Sequence, residues 1–554
     1  MNQNISMAYD RFYTYDELTR FLQDACAAHP ELTELESIGK SFENRDLWAV
    51  TVTNFDTGPA EDKPAMYIDA NIHAGEVTGC AVCMYTLQYF LNNYGKDDRV
   101  TELLDTRAFY ILPRVNPDGA ELYLTSTDML RSSVRPNPDF ELKDNHLYAE
   151  DVTGDGEILT MRVRDPNGTH KVSDKDPRLM LPRKPDDIGG VYYNLLPEGT
   201  IHNYDGGAIE IGPRKWDLDI NRNFPADWKP TQAGGGRYPL SEPETRAMVE
   251  FILNHKNIAT VQAYHTFAGI ILRPSCTRPD DQLDKDDIRA FESIGELGTQ
   301  TTDYPVKSVY HGFTRDKGTA RQGVFIDWVY ENLGLLGYTT ELWDKYGRAG
   351  ITREDMTFGK PVPEEQMLKL FAWHDEEELD AFVPWEEVDH PQLGTVEVGG
   401  FRQKTFQQNT HFKFLEDECH KNTIFSLQQA LATPCLALLE TQVLEVEPGL
   451  LKITADVMNT GYLSTNITAH ALKIGSVKPV EVVLEGEGLT VLDGDARREL
   501  GQLDGYMKAA DGYYMAPPSN LKRVQWLVKK GSASSATVTV RSERAGTVKT
   551  TVDL

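Results

Sequence analysis

The residues with the clearest chemistry lie in Asp69-Ala70-Asn71-Ile72-His73-Ala74-Gly75-Glu76. An apolar run leads into His73, and a helical pattern begins just past Glu76. Side chains three apart at a helix start can face one point. An imidazole and a carboxylate there supply two of the three protein ligands of a catalytic zinc, whose fourth position stays open for water. A solvated helix start shows the same spacing, so the pair needs support from elsewhere in the chain.

That support is an ordered series of segments. Asn116-Pro117-Asp118-Gly119 follows a predicted strand, and Asp219-Ile220-Asn221-Arg222-Asn223-Phe224 comes later. Val261-Gln262-Ala263-Tyr264-His265 ends a strand on a histidine, and Tyr338-Thr339-Thr340-Glu341-Leu342 ends another on a glutamate. With these in order on one chain, residues from about 10 to 375 resemble the zinc metallocarboxypeptidases of the carboxypeptidase A type, here in a bacterial-type form. The resemblance implies one Zn2+ ion held by His73, Glu76 and His265. It implies Glu341 as the general base, taking a proton from the attacking water and handing it to the departing amine. Arg131, in Met129-Leu130-Arg131-Ser132, matches the arginine that polarises the scissile carbonyl. Arg135 is the alternative if the alignment slips. Asn221 and Arg222 match the pair that grips a free C-terminal carboxylate, which a guanidinium fork suits. The implied activity is hydrolysis of the C-terminal peptide bond by a metallopeptidase, and the implied partner is a peptide with a free C-terminus.

The chain departs from the family pattern twice. The family carries a mobile tyrosine shortly before the segment matched by Ile326-Asp327-Trp328. Gly318-Thr319-Ala320-Arg321 stands there instead, and Tyr310, further upstream, is the candidate replacement. The same stretch lines the side-chain pocket of the family. Ile326 argues for an apolar pocket, whereas Arg321 suits an acidic side chain. The second departure is an insertion at about 136–216, rich in Asp, Asn, Pro and Gly. It holds Asp151-Val152-Thr153-Gly154-Asp155-Gly156-Glu157, whose spacing is that of a Ca2+ loop. Arg162 occupies the position of the bidentate glutamate of an EF-hand, and a plain Asp/Gly turn is the other reading.

These side chains need a frame. Tyr15–Ala28 and Val77–Tyr94 read as helices, and Leu47–Thr53, Ala65–Ala70 and Ala108–Pro113 as strands. Alternating strands and helices predict an α/β fold with a mixed central sheet covered by helices, carboxypeptidase-like, over residues 1–435. From 436 to 554 short apolar runs alternate with turn residues: Leu444–Val457, Ile467–Ile474, Val480–Leu484, Val524–Val528 and Ala536–Val540. That texture predicts an immunoglobulin-like β-sandwich.

Composition sets the outer limits. A chain of 554 residues exceeds one ordinary core, so two or three domains are expected. A net charge of −29 argues against nucleic acid as a partner. No apolar run reaches the ~18 residues of a membrane span. Met1–Asp10 lacks a basic start followed by an apolar stretch. The expected location is cytoplasmic, or secreted or periplasmic if a signal has been removed. Cys80 and Cys83 sit in an apolar helical stretch and read as buried free thiols. Two further readings share parts of the site. One is a zinc amidase or deacylase acting on cell-wall peptides or N-acyl amino acids. The other is a non-catalytic binding protein on a peptidase fold, which loss of a ligand or of the base would mark.

Overall fold

The computed structural model describes residues 4–138, 140–314, 321–352, 361–510 and 519–554. Thr33–Lys40 (β1), Asp46–Val52 (β2), Ala65–Ala70 (β3), Ala108–Leu112 (β4), Ile258–Thr266 (β5), Ile270–Arg273 (β6), Val306–Ser308 (β7) and Leu336–Leu342 (β8) form one sheet in the order β1-β2-β4-β3-β5-β8-β6-β7. The central β4-β3-β5-β8 block is parallel, and the β2–β4 and β8–β6 pairings on either side of it are antiparallel. Every residue of β3, β4, β5 and β8 is buried. Strands covered on both faces require this, and it explains why they read as continuous apolar runs.

The covering helices follow from their own patterns. Tyr15–Ala28 (α1) opens on a capping box: Thr14 accepts from the Glu17 N–H, and Glu17 accepts from the Thr14 N–H at 2.9 Å. Its buried residues, Leu18, Phe21, Leu22 and Ala25, fall three and four apart, as one apolar stripe demands. Thr78–Asn93 (α2), Pro117–Thr125 (α3), Lys285–Thr302 (α4), Phe325–Leu333 (α5) and Leu415–Leu431 (α6) complete the frame used below. Strand alternation divides the core. Met66 and Ile68 face α1, α2 and α6, while Tyr67 faces Phe325, Trp328 and Val329 of α5.

The insertion is a β layer built from two distant pieces. His146–Ala149 pairs with Gly199–His202 and Glu210–Ile211. A six-stranded sheet joins Thr160–Arg164, His170–Val172, Met180–Pro182 and Tyr193–Pro197 to the hairpin Phe382–His390 and Gly394–Phe401. That hairpin lies far beyond the 136–216 limits read from sequence. Arg162, the residue that breaks the calcium pattern, braces the two pieces: it meets both carboxylate oxygens of Glu397, at 2.7 and 3.0 Å, and lies over the Trp385 ring. In the Asp151–Glu157 loop, Asp151 accepts the N–H groups of Gly154 and Gly156, and Glu157 pairs with Arg402. The loop closes on its own amides, as an Asp/Gly turn does.

Residues 436–553 form two antiparallel four-stranded sheets. Ile453 and Trp526 of one sheet pack against Val482 and Val538 of the other. Ile467–Ile474, expected as a strand, is instead largely the helix Ala469–Ile474. The Thr468 hydroxyl caps it by accepting the Ala471 N–H, and left-handed Gly475 ends it. That helix docks the sandwich on the catalytic part: Asp287 of α4 accepts the Ala469 and His470 N–H groups at 2.6 and 3.1 Å. Arg544, buried, donates to the carbonyls of Leu333 and Asn466 at 2.7 and 3.3 Å. Among the described residues, no helix is long and apolar enough to cross a membrane.

Candidate active site

Parallel register brings the chemistry to one edge. Tyr264 pairs with Ala70, and His265 pairs with Glu341, so β3, β5 and β8 end side by side. Sites in such sheets gather outside the strands' carboxyl ends. Past β3 the chain turns through Asn71, at φ 60°, whose side chain donates to the His73 and Ala74 carbonyls at 2.8 and 3.1 Å. Asparagine tolerates this left-handed backbone better than most residues. Helix α3 packs tightly against the loop. A Cβ on Gly119 would sit 2.5 Å from the Ser132 carbonyl oxygen and 2.8 Å from the Ala74 Cβ, which accounts for the glycine of the Asn-Pro-Asp-Gly segment.

The loop presents His73 and Glu76 to His265. Glu76 lies 2.9 Å from the His73 Nδ1 through one oxygen and 2.9 Å from the His265 Nδ1 through the other. The two Nδ1 atoms are 3.1 Å apart, and all three residues are buried. Burial alone would raise the Glu76 carboxyl, but the His73 charge and the hydrogen bonds from His265 and His73 hold it well below the usual range. The donor atoms lie within 4.8 Å of one another. Two imidazole nitrogens and one carboxylate converging in this way fit zinc. Behind His73, its Nε2 is 3.3 Å from Asp219, the partner that orients a ligating imidazole.

Glu341 sits across the same cleft, 9 % exposed, and among the described residues its carboxylate has no hydrogen-bond partner. Burial, then the Glu76 charge, pushes it up to about 8. A cation on the His73, Glu76 and His265 cluster acts in the opposite direction. The chain leaves β8 through Trp343 at φ 64°. Glu418 of α6 accepts the Trp343 N–H at 3.1 Å, and the indole donates to the Phe406 carbonyl at 2.6 Å. Left-handed backbone costs a non-glycine residue ~1–2 kcal/mol; these bonds offset it and fix the strand end beside Glu341.

A cleft of about 840 Å³ is lined by His73, Glu76, His265, Arg131, Asn221, Arg222, Arg321, Ile326 and Glu341 together. Nine of the ten candidate residues therefore converge. The exception is Tyr310. It lies on the single-turn helix Val309–Gly312, where Val309 and Phe313, four apart, share the face toward the cleft and Tyr310 turns away against His311. It is not among the residues that line the cleft. Gly318, Thr319 and Ala320 lie outside the described residues. Arg135 is also removed from the cleft, paired with Glu242 at 2.7 Å and stacked on Phe42.

Asp219 is the functional residue the sequence reading left without a role. It receives Arg131 Nε at 2.9 Å and lies 3.8 Å from Arg222. Burial would raise it, but His73, Arg222 and Arg131 hold it well below the carboxylate range. Its place two residues before Asn221 was the available signal. The Asn221 amide oxygen accepts the Phe325 N–H at 2.9 Å and so ties the clamp to α5.

Asp327, in the first turn of α5, fixes one cleft wall by accepting the Cys276 N–H at 2.9 and 3.0 Å. Burial pushes it up to about 7. Its native value lies above that of the unfolded chain, near 4. Its contribution to stability is therefore complete below about pH 4 and is lost as pH rises through about 7. Asn at this position does not titrate, and the Ser275 hydroxyl, 3.5 Å from one oxygen, can accept from the new amide. Chemical denaturation at pH 5 and pH 8 is expected to show Asp327→Asn gaining on wild type at the higher pH, by ~1–3 kcal/mol. A constant difference between the two pH values counts against a neutral buried Asp327.

The family model described as Zinc carboxypeptidase matches residues 18–170 and 202–369, more than half of the chain, and the chain belongs to that family. The gap in the match falls inside the inserted β layer. A second model, described only as a domain of unknown function, matches residues 435–553. Carboxypeptidase A2 of Rattus norvegicus is 25% identical over 367 residues, 65% of this chain and 67% of its own length. A zinc carboxypeptidase of Simulium vittatum is 24% identical over 349 residues, 62% of this chain and 88% of its own. The solved structure of thrombin-activatable fibrinolysis inhibitor aligns over 77% of this chain and 76% of that one, at 17% identity and a TM-score of 0.47. The activity is zinc-dependent hydrolysis of peptide bonds, and the chain is a metallopeptidase.

Proposed function

We propose that the protein removes single residues from the free C-termini of peptides, with Glu341 as general base and Arg222 as carboxylate clamp. The observation that carries this is the shared cleft: ligand cluster, base and clamp line one cavity. A zinc ion held by His73, Glu76 and His265 supplies Lewis acidity and makes water nucleophilic near neutral pH. Glu341 takes one proton from the attacking water and returns it to the leaving nitrogen, so that a carboxylic acid and an amine result. Arg131 donates to the carbonyl oxygen as its charge grows. Its Nη2 lies 3.0 Å from His73 Nε2. A guanidinium only donates, so this contact needs an unprotonated Nε2. With the His73 Nδ1 given to a cation, the ring proton sits on Nε2, Asp219 accepts it, and Arg131 Nη2 is free to donate elsewhere. Asn221 and Arg222 hold the terminal carboxylate, which sets the distance from chain end to scissile bond.

A matched pair of peptides, one ending in a free acid and one in an amide, tests the reading. Release of one residue is expected far faster from the acid than from the amide, abolished by a chelator and restored by zinc. Internal cleavage, or equal turnover of acid and amide, removes it.

A further inference from the structure

Past the clamp the cleft continues into a side chamber. Leu272, Val309, Val324 and Ile326 give it an apolar wall, with Cys276 beside them. Two cations line this side of the cleft, the exposed Lys307 and the half-buried Arg321. Among the described residues Arg321 has no hydrogen-bond or ion-pair partner, and its guanidinium lies 4.7 Å from the centre of the Phe313 ring. The other two arginines of the cleft share Asp219. Arg321 feels chiefly burial and the repulsion of Arg222, both of which disfavour its charge. A guanidinium keeps its proton regardless, so among the described residues its charge is left without a counter-charge.

The position of Arg321 decides which anion. Gly323, two residues on, is bound to the clamp segment: its carbonyl accepts the Phe224 N–H at 3.0 Å, and its N–H donates to the Ala226 carbonyl at 2.8 Å. At φ 67°, a Cβ there would lie 2.2 Å from the Arg222 carbonyl oxygen, so glycine alone permits this approach. The chamber thus opens directly off the clamp. The Cα of a substrate's last residue carries three groups. In the exopeptidase reading its amide nitrogen goes to His73, Glu76, His265 and Glu341, and its carboxylate to Arg222. The side chain is left the chamber.

We propose that the enzyme selects peptides whose C-terminal residue is acidic, Arg321 meeting the side-chain carboxylate while the Leu272 and Ile326 wall packs against its methylenes. This rests on the exopeptidase reading above. An Arg–carboxylate pair in a partly dry pocket is strong and directional, whereas a neutral side chain of equal shape leaves the guanidinium unpaired.

The test is kcat/KM on N-acylated peptides that differ only in the last residue: Glu, Gln, Leu or Lys. Glu and Gln share a shape and differ in charge. Wild type is expected to favour Glu over Gln by roughly 10- to 100-fold. In Arg321→Met, with zinc content and melting temperature checked, that ratio is expected to fall to about one, the loss falling on Glu far more than on Leu. Release from Gln and Leu without a preference for Glu overturns the inference and leaves the exopeptidase reading intact. A ratio unchanged by Arg321→Met overturns it as well. A uniform loss on all four peptides would place Arg321 on the main-chain carboxylate and equally overturn it. No release from any peptide removes both readings. The wild-type ratio needs no variant, so the test stands even if Arg321→Met fails to fold.

Discussion

Glu341→Gln is expected to bind one zinc ion and to lower kcat by about 100- to 10,000-fold, with KM little changed. The glutamine keeps the shape and burial of the side chain and loses only the ability to take a proton. Because the Glu341 carboxylate has no hydrogen-bond partner among the described residues, the substitution strands no donor. The zinc-free protein carries a second signature. Its Glu341 sits above the unfolded value, so that carboxyl's stabilising contribution is complete below about pH 4 and lost as pH rises through about 8. Zinc-free Glu341→Gln is therefore expected to be the more stable protein at pH 9, though not at pH 4. A variant that retained activity within about threefold of wild type would remove Glu341 as the base, and zinc loss in the variant would make it a positioning residue.

Most of the central sheet was legible because its strands are buried on both faces and read as unbroken apolar runs such as Ala65–Ala70 and Ile258–Thr266. One candidate ligand and the candidate base were legible for a related reason: His265 and Glu341 come at the ends of such runs, and a polar group there faces a cleft rather than the core. What escaped is long-range. The partner of the Trp343 N–H is Glu418, 75 residues away, on a helix whose sequence gives no hint of that bond. The hairpin Phe382–Phe401 joins a sheet whose other strands lie some two hundred residues earlier, and its alternating pattern says only that it pairs, not with what. The stretch at Ile467 misled because its isoleucines and threonine favour a strand, whereas the Thr468 cap and Gly475 stop fit a helix equally well. Tyr310 is the one candidate off the cleft wall, because counting along a chain does not show which side of a single helical turn faces a cleft.

These long-range ties bear on how the clamp works, and hence on the second large effect. Arg222 donates through Nη1 to the Asn221 carbonyl at 2.7 Å and lies 3.8 Å from Asp219, so its fork is held by its neighbours and only partly neutralised. Leaving a substrate's buried carboxylate without its cation loses ~2–5 kcal/mol, some 30- to several-thousand-fold. Arg222→Met is therefore expected to lower kcat/KM for free-acid peptides by about 100- to 1,000-fold, mostly through KM, while the weak turnover of the matching amide is unchanged. The ratio of acid to amide turnover is the decisive readout, because a merely structural role lowers both together. Arg222→Lys is expected to restore charge without the bidentate fit and to recover only part of the loss. If the ratio survives in Arg222→Met, the terminal carboxylate is held elsewhere. Arg131, Arg321 and Lys307 are then the other cations among the described residues that line the cleft, and the peptide series used for Arg321 divides them: loss on every peptide from an Arg321 variant identifies Arg321 as the clamp, and a preserved profile leaves Arg131 and Lys307.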